Sequence, residues 1–141
     1  MNKEELKNVL PHREPMLLVD ESHLEGDTTY SHYHVRGDEF FLQGHFPGKP
    51  VVPGVILCEI MAQSSAMLMA EALDGKYPMY AGMDGVKFKR AVVPGDTVNV
   101  KATLLVHRGP LFIVEAEASV DGQMCSRGKL TFMLIDKEKH S

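Results

Sequence analysis

The residues best suited to chemistry lie in one stretch, residues 43–65, which reads QGHFPGKPVVPGVILCEIMAQSS. His45 precedes Pro47, Pro50 and Pro53, and Glu59 sits inside the apolar run that follows them. Each proline fixes φ and removes a backbone donor, while Gly44, Gly48 and Gly54 permit conformations or close approaches that other residues resist. Such a loop can hold an imidazole on a restricted path. It feeds into a helix whose first N–H groups and dipole favour negative charge. The N–H of Gly54, or of a neighbour in that turn, could receive a carbonyl oxygen as it gains enolate character.

Glu59 and Gln63 are four residues apart and share a helix face, so a solvated stripe is one reading. The next turns of that face carry Ala66, Met67 and Ala70, so the polarity does not continue. A polar island at one end of an apolar helix resembles a pocket lining. Burial disfavours the charge of a carboxylate, which suits a general acid, and Gln63 could hold its orientation. A histidine base, a protonated carboxyl and an oxyanion site together serve proton abstraction beside a carbonyl with loss of a β-hydroxyl. The spacing leaves open whether His45 and Glu59 meet within one chain or across two.

The remaining candidates are weaker. His32 and His34 share a strand face, but no Cys/His/Asp set completes a metal site beside them. His12 reads as a turn or loop residue, and His23, His107 and His140 as solvated. Ser64 and Ser65 lack the G-x-S-x-G elbow of an esterase. Lys87, Lys89 and Arg90 form a solvated face or a contact for an acidic carrier or phosphate group. Cys58 and Cys125 lie in apolar segments and read as buried free thiols.

The elements that must position these residues follow from periodicity. A short helix built on Leu6, Val9 and Leu10 ends before Pro11, and residues 16–22 and 28–36 read as strands. Residues 55–73 read as one long buried helix of 19 residues, about 28 Å at the α-helical rise. Its Glu59 and Gln63, and the lack of a basic flank before it, argue against a membrane span. Val98 to Val106 and Phe112 to Val120 alternate, with a turn at residues 107–110, and Asp121-Gly122 predicts a hairpin into a last strand over 124–134. The expected class is α+β, a strongly curved antiparallel sheet wrapped around one helix, in a single domain over 1–141. With 141 residues and a formal net charge of −4, the chain has no basic footprint for nucleic acid. The N-terminus lacks the basic start and apolar core of a secretory signal, so the expected location is cytoplasmic.

Three blocks carry a resemblance: LPHREPMLLVD at 10–20, GHFPGKPVVPGVILCEIMAQ at 44–63 and GVKFKRAVVPGD at 85–96. With these the chain resembles the β-hydroxyacyl-acyl carrier protein dehydratases of type II fatty acid synthesis, in their elongation branch. The resemblance implies a hot-dog fold, homodimers often assembled as trimers of dimers (hexamers), and paired sites at the dimer interface. It implies His45 as the base removing the α-proton of a (3R)-hydroxyacyl thioester and Glu59, from the opposite subunit, as the acid protonating the departing hydroxyl. Gly54 would bind the thioester carbonyl through its N–H, Gln63 would steady Glu59, and the product would be a trans-2-enoyl thioester. The substrate would ride on the phosphopantetheine arm of acyl carrier protein, with no metal or redox cofactor. The isomerising branch typically carries aspartate at the position of Glu59, which favours dehydration without isomerisation. Arg127 and Gly128 depart from the family pattern, which more often has alanine and an acidic residue there. The alternatives are a bifunctional dehydratase/isomerase, a hot-dog thioester hydrolase using Glu59 to activate water, and a non-catalytic acyl-binding module.

Overall fold

Alternating apolar residues in the second half of the chain bury one face of a sheet and leave the other to solvent. In β4 (Thr97–Arg108), Val98, Val100 and Ala102 are buried, and in β5 (Leu111–Val120) so are Phe112, Val114, Ala116, Ala118 and Val120. With β1 (Glu21–Glu25), β2 (Thr28–His34), β3 (Lys76–Phe88) and β6 (Gln123–Asp136), they form one sheet in the order β1-β2-β4-β5-β6-β3, antiparallel throughout. The computed structural model describes residues 1–137; His140, expected to be solvated, lies outside them. A register shift between Leu104 and Val106 interrupts the alternation in β4, so the far end of that strand is less buried than its pattern predicts.

The sheet wraps α2 (Gly54–Ser64), which packs against β2, β4, β5 and β6. Its Leu57, Ile60 and Met61 join Val100, Val114, Leu130 and Phe132 in the main core. The expected 19-residue helix is corrected here: α2 stops after 11 residues and two short 3-10 turns, Ala66–Leu68 and Ala70–Leu73, continue the path. The cause is local competition for carbonyls. Thr29 Oγ1 donates to the Ser64 carbonyl at 3.0 Å, and Ser31 Oγ approaches it at 3.4 Å. Ser65 Oγ donates back to the Met61 carbonyl. The chain tightens to i→i+3 bonding, Leu68 N–H to Ser65 O and Met69 N–H to Ala66 O. No helix among the described residues is long and apolar enough to cross a membrane.

The strand expected over 16–22 is also corrected, since β1 begins only at Glu21. Leu18 donates its N–H to the Gln63 side chain at 2.8 Å instead of to a sheet ladder. Leu17 and Val19 pack with Leu6, Leu10 and Ala66 in a second cluster, while Leu18 joins the main core. The segment is a strap over α2. It follows α1 (Lys3–Leu6), whose Asn2–Glu5 capping box fixes its start.

Gly128 has a steric reason for being glycine. A Cβ there would lie 2.8 Å from Val86 Cγ2 and 3.2 Å from Val86 Cα, where β3 shifts register against β6. Gly128→Ala is expected to destabilise the fold by about 1–3 kcal/mol, as overpacking does. A denaturation midpoint unchanged from wild type would contradict this contact.

Candidate functional site

The loop between β2 and α2 is anchored at both ends. At its start the Glu39 carboxylate accepts from the Tyr33 hydroxyl and from the amides of Arg36 and Gly37. At its end Val52 N–H donates to the Val92 carbonyl. Between them His45 is clasped by Val51: Val51 N–H donates to the His45 carbonyl at 2.8 Å, and His45 Nδ1 lies 2.9 Å from the Val51 carbonyl. A carbonyl only accepts, so the Nδ1 proton is present and Nε2 of the neutral ring is left bare. The ring also stacks on Phe46. The clasp comes from a residue between Pro50 and Pro53, so the prolines act through the short path they impose on Val51.

Gly54 opens α2, and Phe88 explains it. A Cβ at Gly54 would stand 3.0–3.1 Å from the Phe88 ring. The aromatic ring from the GVKFKR block thus closes directly over the helix N-terminus.

One turn further, Glu59 is partly exposed and lines a cavity of about 80 Å³ with Leu10, His12, Ala62, Gln63, Tyr80 and Phe132 among its neighbours. Gln63 is buried and fully engaged. Its Oε1 accepts from Leu18 N–H, and its Nε2 donates to the Met16 carbonyl at 2.7 Å and to Glu59 Oε2 at 2.8 Å. These backbone partners dictate which end of the amide is oxygen. Gln63 and Glu59 are therefore joined by a direct hydrogen bond.

Two neighbours of Glu59 escaped the sequence reading. His12, expected as a turn residue, brings Nε2 to 3.2 Å from Glu59 Oε2. The signal was LPHREP itself, a histidine between two prolines next to buried Leu10, but nothing local says which helix it faces. Tyr80 donates its hydroxyl to the Cys58 carbonyl at 3.0 Å, and burial, reinforced by the Glu59 charge, pushes its phenol well above the ordinary range.

His45 is not among the residues that line the Glu59 cavity, and its ring is bonded to Val51 instead. A single chain therefore holds the two candidates in separate settings. A larger cavity, about 490 Å³, lies on the outer sheet face among Lys87, Lys101, Glu115, Glu117, Arg127 and Lys129. Those side chains are exposed charges arranged across neighbouring strands; of the expected Lys87, Lys89 and Arg90 cluster, the two lysines are exposed and Arg90 is partly buried, 4.0 Å from Asp96. Cys58 and Cys125 are free and buried, and no group of three or more metal-ligating residues occurs among the described residues.

Burial alone would raise the Glu39 carboxyl, but Tyr33 and the amides of Arg36 and Gly37 outweigh it and hold it below its ordinary 4.5. A depressed folded value stabilises the protein above pH 4.5, and this contribution is lost as pH falls through the folded value. Glu39→Gln should therefore lower stability at neutral pH and flatten its loss below pH 4.5. Urea midpoints measured across that range check the sign; parallel curves for variant and wild type would refute it.

Comparison with known proteins fits this geometry. The model of the FabA-like domain matches residues 10–129. The 3-hydroxyacyl-[acyl-carrier-protein] dehydratase FabZ of Streptococcus pneumoniae (strain CGSP14) is 46% identical over 134 residues, covering 93% of this chain and 96% of its own. The enzyme of the same name from Lactococcus lactis subsp. cremoris (strain SK11) is 44% identical over 137 residues, covering 95% of each. Among solved structures, a chain of the dehydratase heterocomplex ApeI:P from Xenorhabdus doucetiae superposes with a TM-score of 0.82 at 21% identity, covering 96% of this chain and 93% of that one. The fluoroacetyl-CoA-specific thioesterase FlK superposes at 0.70 with 20% identity, covering 84% and 100%. These two share the fold, the hot-dog arrangement of sheet around helix. The extent of the sequence matches goes further, and the chain belongs to the FabA-like domain family.

Proposed function

We propose that the protein is a hydro-lyase that dehydrates (3R)-hydroxyacyl-acyl carrier protein to trans-2-enoyl-acyl carrier protein in fatty acid elongation. The observation that carries the mechanism is the Val51 clasp on His45, which leaves Nε2 as the free base. His45 Nε2 takes the proton from C2 of the acyl chain, and the released electron pair forms the C2–C3 double bond. The C3–O bond breaks, and the hydroxyl leaves as water with a proton from Glu59. The thioester carbonyl gains negative charge meanwhile, and the Gly54 N–H at the start of α2 receives it. Gln63 keeps Glu59 in place. No cofactor enters this scheme.

The reading pairs His45 of one chain with Glu59 of another, in a homodimer that builds further into trimers of dimers. Support comes from β3, an edge strand with exposed Met79, Met83 and Phe88. A long apolar edge with unpaired backbone is a template for pairing with a second copy. The substrate arrives on the phosphopantetheine arm of acyl carrier protein, and the enzyme works with it in the cytoplasm.

The test incubates purified protein with 3-hydroxyacyl-acyl carrier protein and follows mass. Reversible loss of water is expected; release of free acid alone would replace this reading with thioester hydrolysis, and 3-enoyl products would add isomerisation. His45→Ala and Glu59→Gln should each lower kcat by about 10²–10⁴-fold. Co-expressing the two variants should restore about a quarter of wild-type activity, because each mixed two-fold dimer regains one intact site. If the mixture stays inactive while mixed dimers form, the site is not shared between chains.

A further inference from the structure

The Glu59 carboxylate has two oxygens, and the structure treats them differently. Gln63 Nε2 donates to Oε2 at 2.8 Å, and His12 Nε2 reaches the same Oε2 at 3.2 Å. Tyr80, the other polar group beside the carboxylate, donates its hydroxyl to the Cys58 carbonyl at 3.0 Å, and its oxygen, which also interacts with Glu59, is left to accept from a protonated carboxyl. Both Gln63 hydrogens are committed, one to Met16 and one to Glu59. The crowding of donors on one oxygen is therefore set by backbone contacts far from the carboxylate in sequence.

The proton on His12 follows from its other nitrogen. Nδ1 is buried and has no hydrogen-bond partner. A proton there would be a buried donor without an acceptor, which is costly. A bare Nδ1 lone pair is the cheaper state, so the ring carries its proton on Nε2 and points it at Oε2. The backbone of His12 is held for this purpose. Arg13 donates through Nη1 to the Leu10 and His12 carbonyls and through Nη2 to the Lys7 carbonyl, and Leu10 is buried in the second cluster.

We infer that His12 is a positioning residue for Glu59: with Gln63 it saturates Oε2, so that Oε1 is the oxygen that carries and delivers the acidic proton. A carboxyl whose Oε2 already accepts two N–H donors has its proton on the other oxygen. Orientation then becomes a property of the strap over α2 and the turn ahead of it, since Met16 and Leu18 belong to the strap and His12 to that turn. This inference rests on the dehydratase reading for the identity of the proton acceptor, but the hydrogen-bond arrangement stands apart from it.

The experiment has two arms. In the first, kcat and KM for water elimination are compared among wild type, His12→Ala and His12→Gln, with thermal midpoints recorded in parallel. His12→Ala should lower kcat about 10–100-fold, the scale of a small misplacement of a catalytic group, with KM little changed. His12→Gln, whose amide nitrogen can stand near the place of Nε2, should recover most of that loss. Wild-type kcat in His12→Ala, or a folded His12→Gln no better than His12→Ala, overturns the inference. In the second arm, nitrogen-15 spectra of the imidazoles locate the His12 proton without any substrate. A proton resident on Nε2 in wild type, redistributed in Glu59→Ala, is expected; a proton on Nδ1 alone, or a spectrum indifferent to Glu59→Ala, overturns it. A wild-type protein that eliminates no water but passes the second arm would refute the dehydratase reading and leave the arrangement around Glu59 standing.

Discussion

The buried amide of Gln63 is the interaction on which the site depends. It is a polar group in an apolar core, and each of its hydrogen-bonding positions that the fold uses is matched by a partner: Leu18 N–H, the Met16 carbonyl and Glu59 Oε2. Burying an amide unmatched costs several kcal/mol, on the order of 2–7, so the strap and the helix are bound to each other by the need to satisfy it. The same contact takes the Leu18 N–H away from any sheet ladder and so explains why residues 16–19 cover α2 instead of extending the sheet. Fold and site are here one constraint.

A second consequence concerns where the helix ends. The residues after Gln63 include Ser64 and Ser65, both buried, and the Ser64 carbonyl faces hydroxyl groups of β2. Thr29 and Ser31 claim the Ser64 carbonyl that an α-helix would offer to Leu68. The chain answers by tightening into 3-10 turns. Only the first part of the apolar run is α-helix, and it is the part that carries Gly54, Glu59 and Gln63. The chemistry-bearing residues are thus grouped on the regular, well-packed segment.

The two candidate groups are prepared by different physics. His45 sits on an irregular loop and is set by backbone contacts, a carbonyl on its ring and an amide on its own carbonyl, both from Val51. Glu59 sits on a helix and is set by side chains, Gln63 from the same helix and His12 from the segment before the strap. A base needs one bare nitrogen, and an acid needs one oxygen free to hold a proton. Each local arrangement leaves one atom of its group uncommitted.

Much of this was legible in the residues. Period-two alternation in β4 and β5, the Asp121-Gly122 turn and an apolar run with no polar side determined a sheet around a buried helix, because burial patterns are local in sequence. The types and order of His45, Gly54, Glu59 and Gln63 likewise named the candidates, and Gln63 four residues after Glu59 foretold their contact, since helix geometry dictates that neighbourhood. What tertiary structure alone decided were the meetings between distant segments. His12 lies 47 residues from Glu59 along the chain, and no periodicity links them. The same holds for Leu18 against Gln63, Tyr80 against Cys58 and Phe88 against Gly54. The early end of α2 belongs with these, since it depends on hydroxyls of a strand more than thirty residues away. Sequence patterns report which face of an element is buried; only packing decides which atoms meet there.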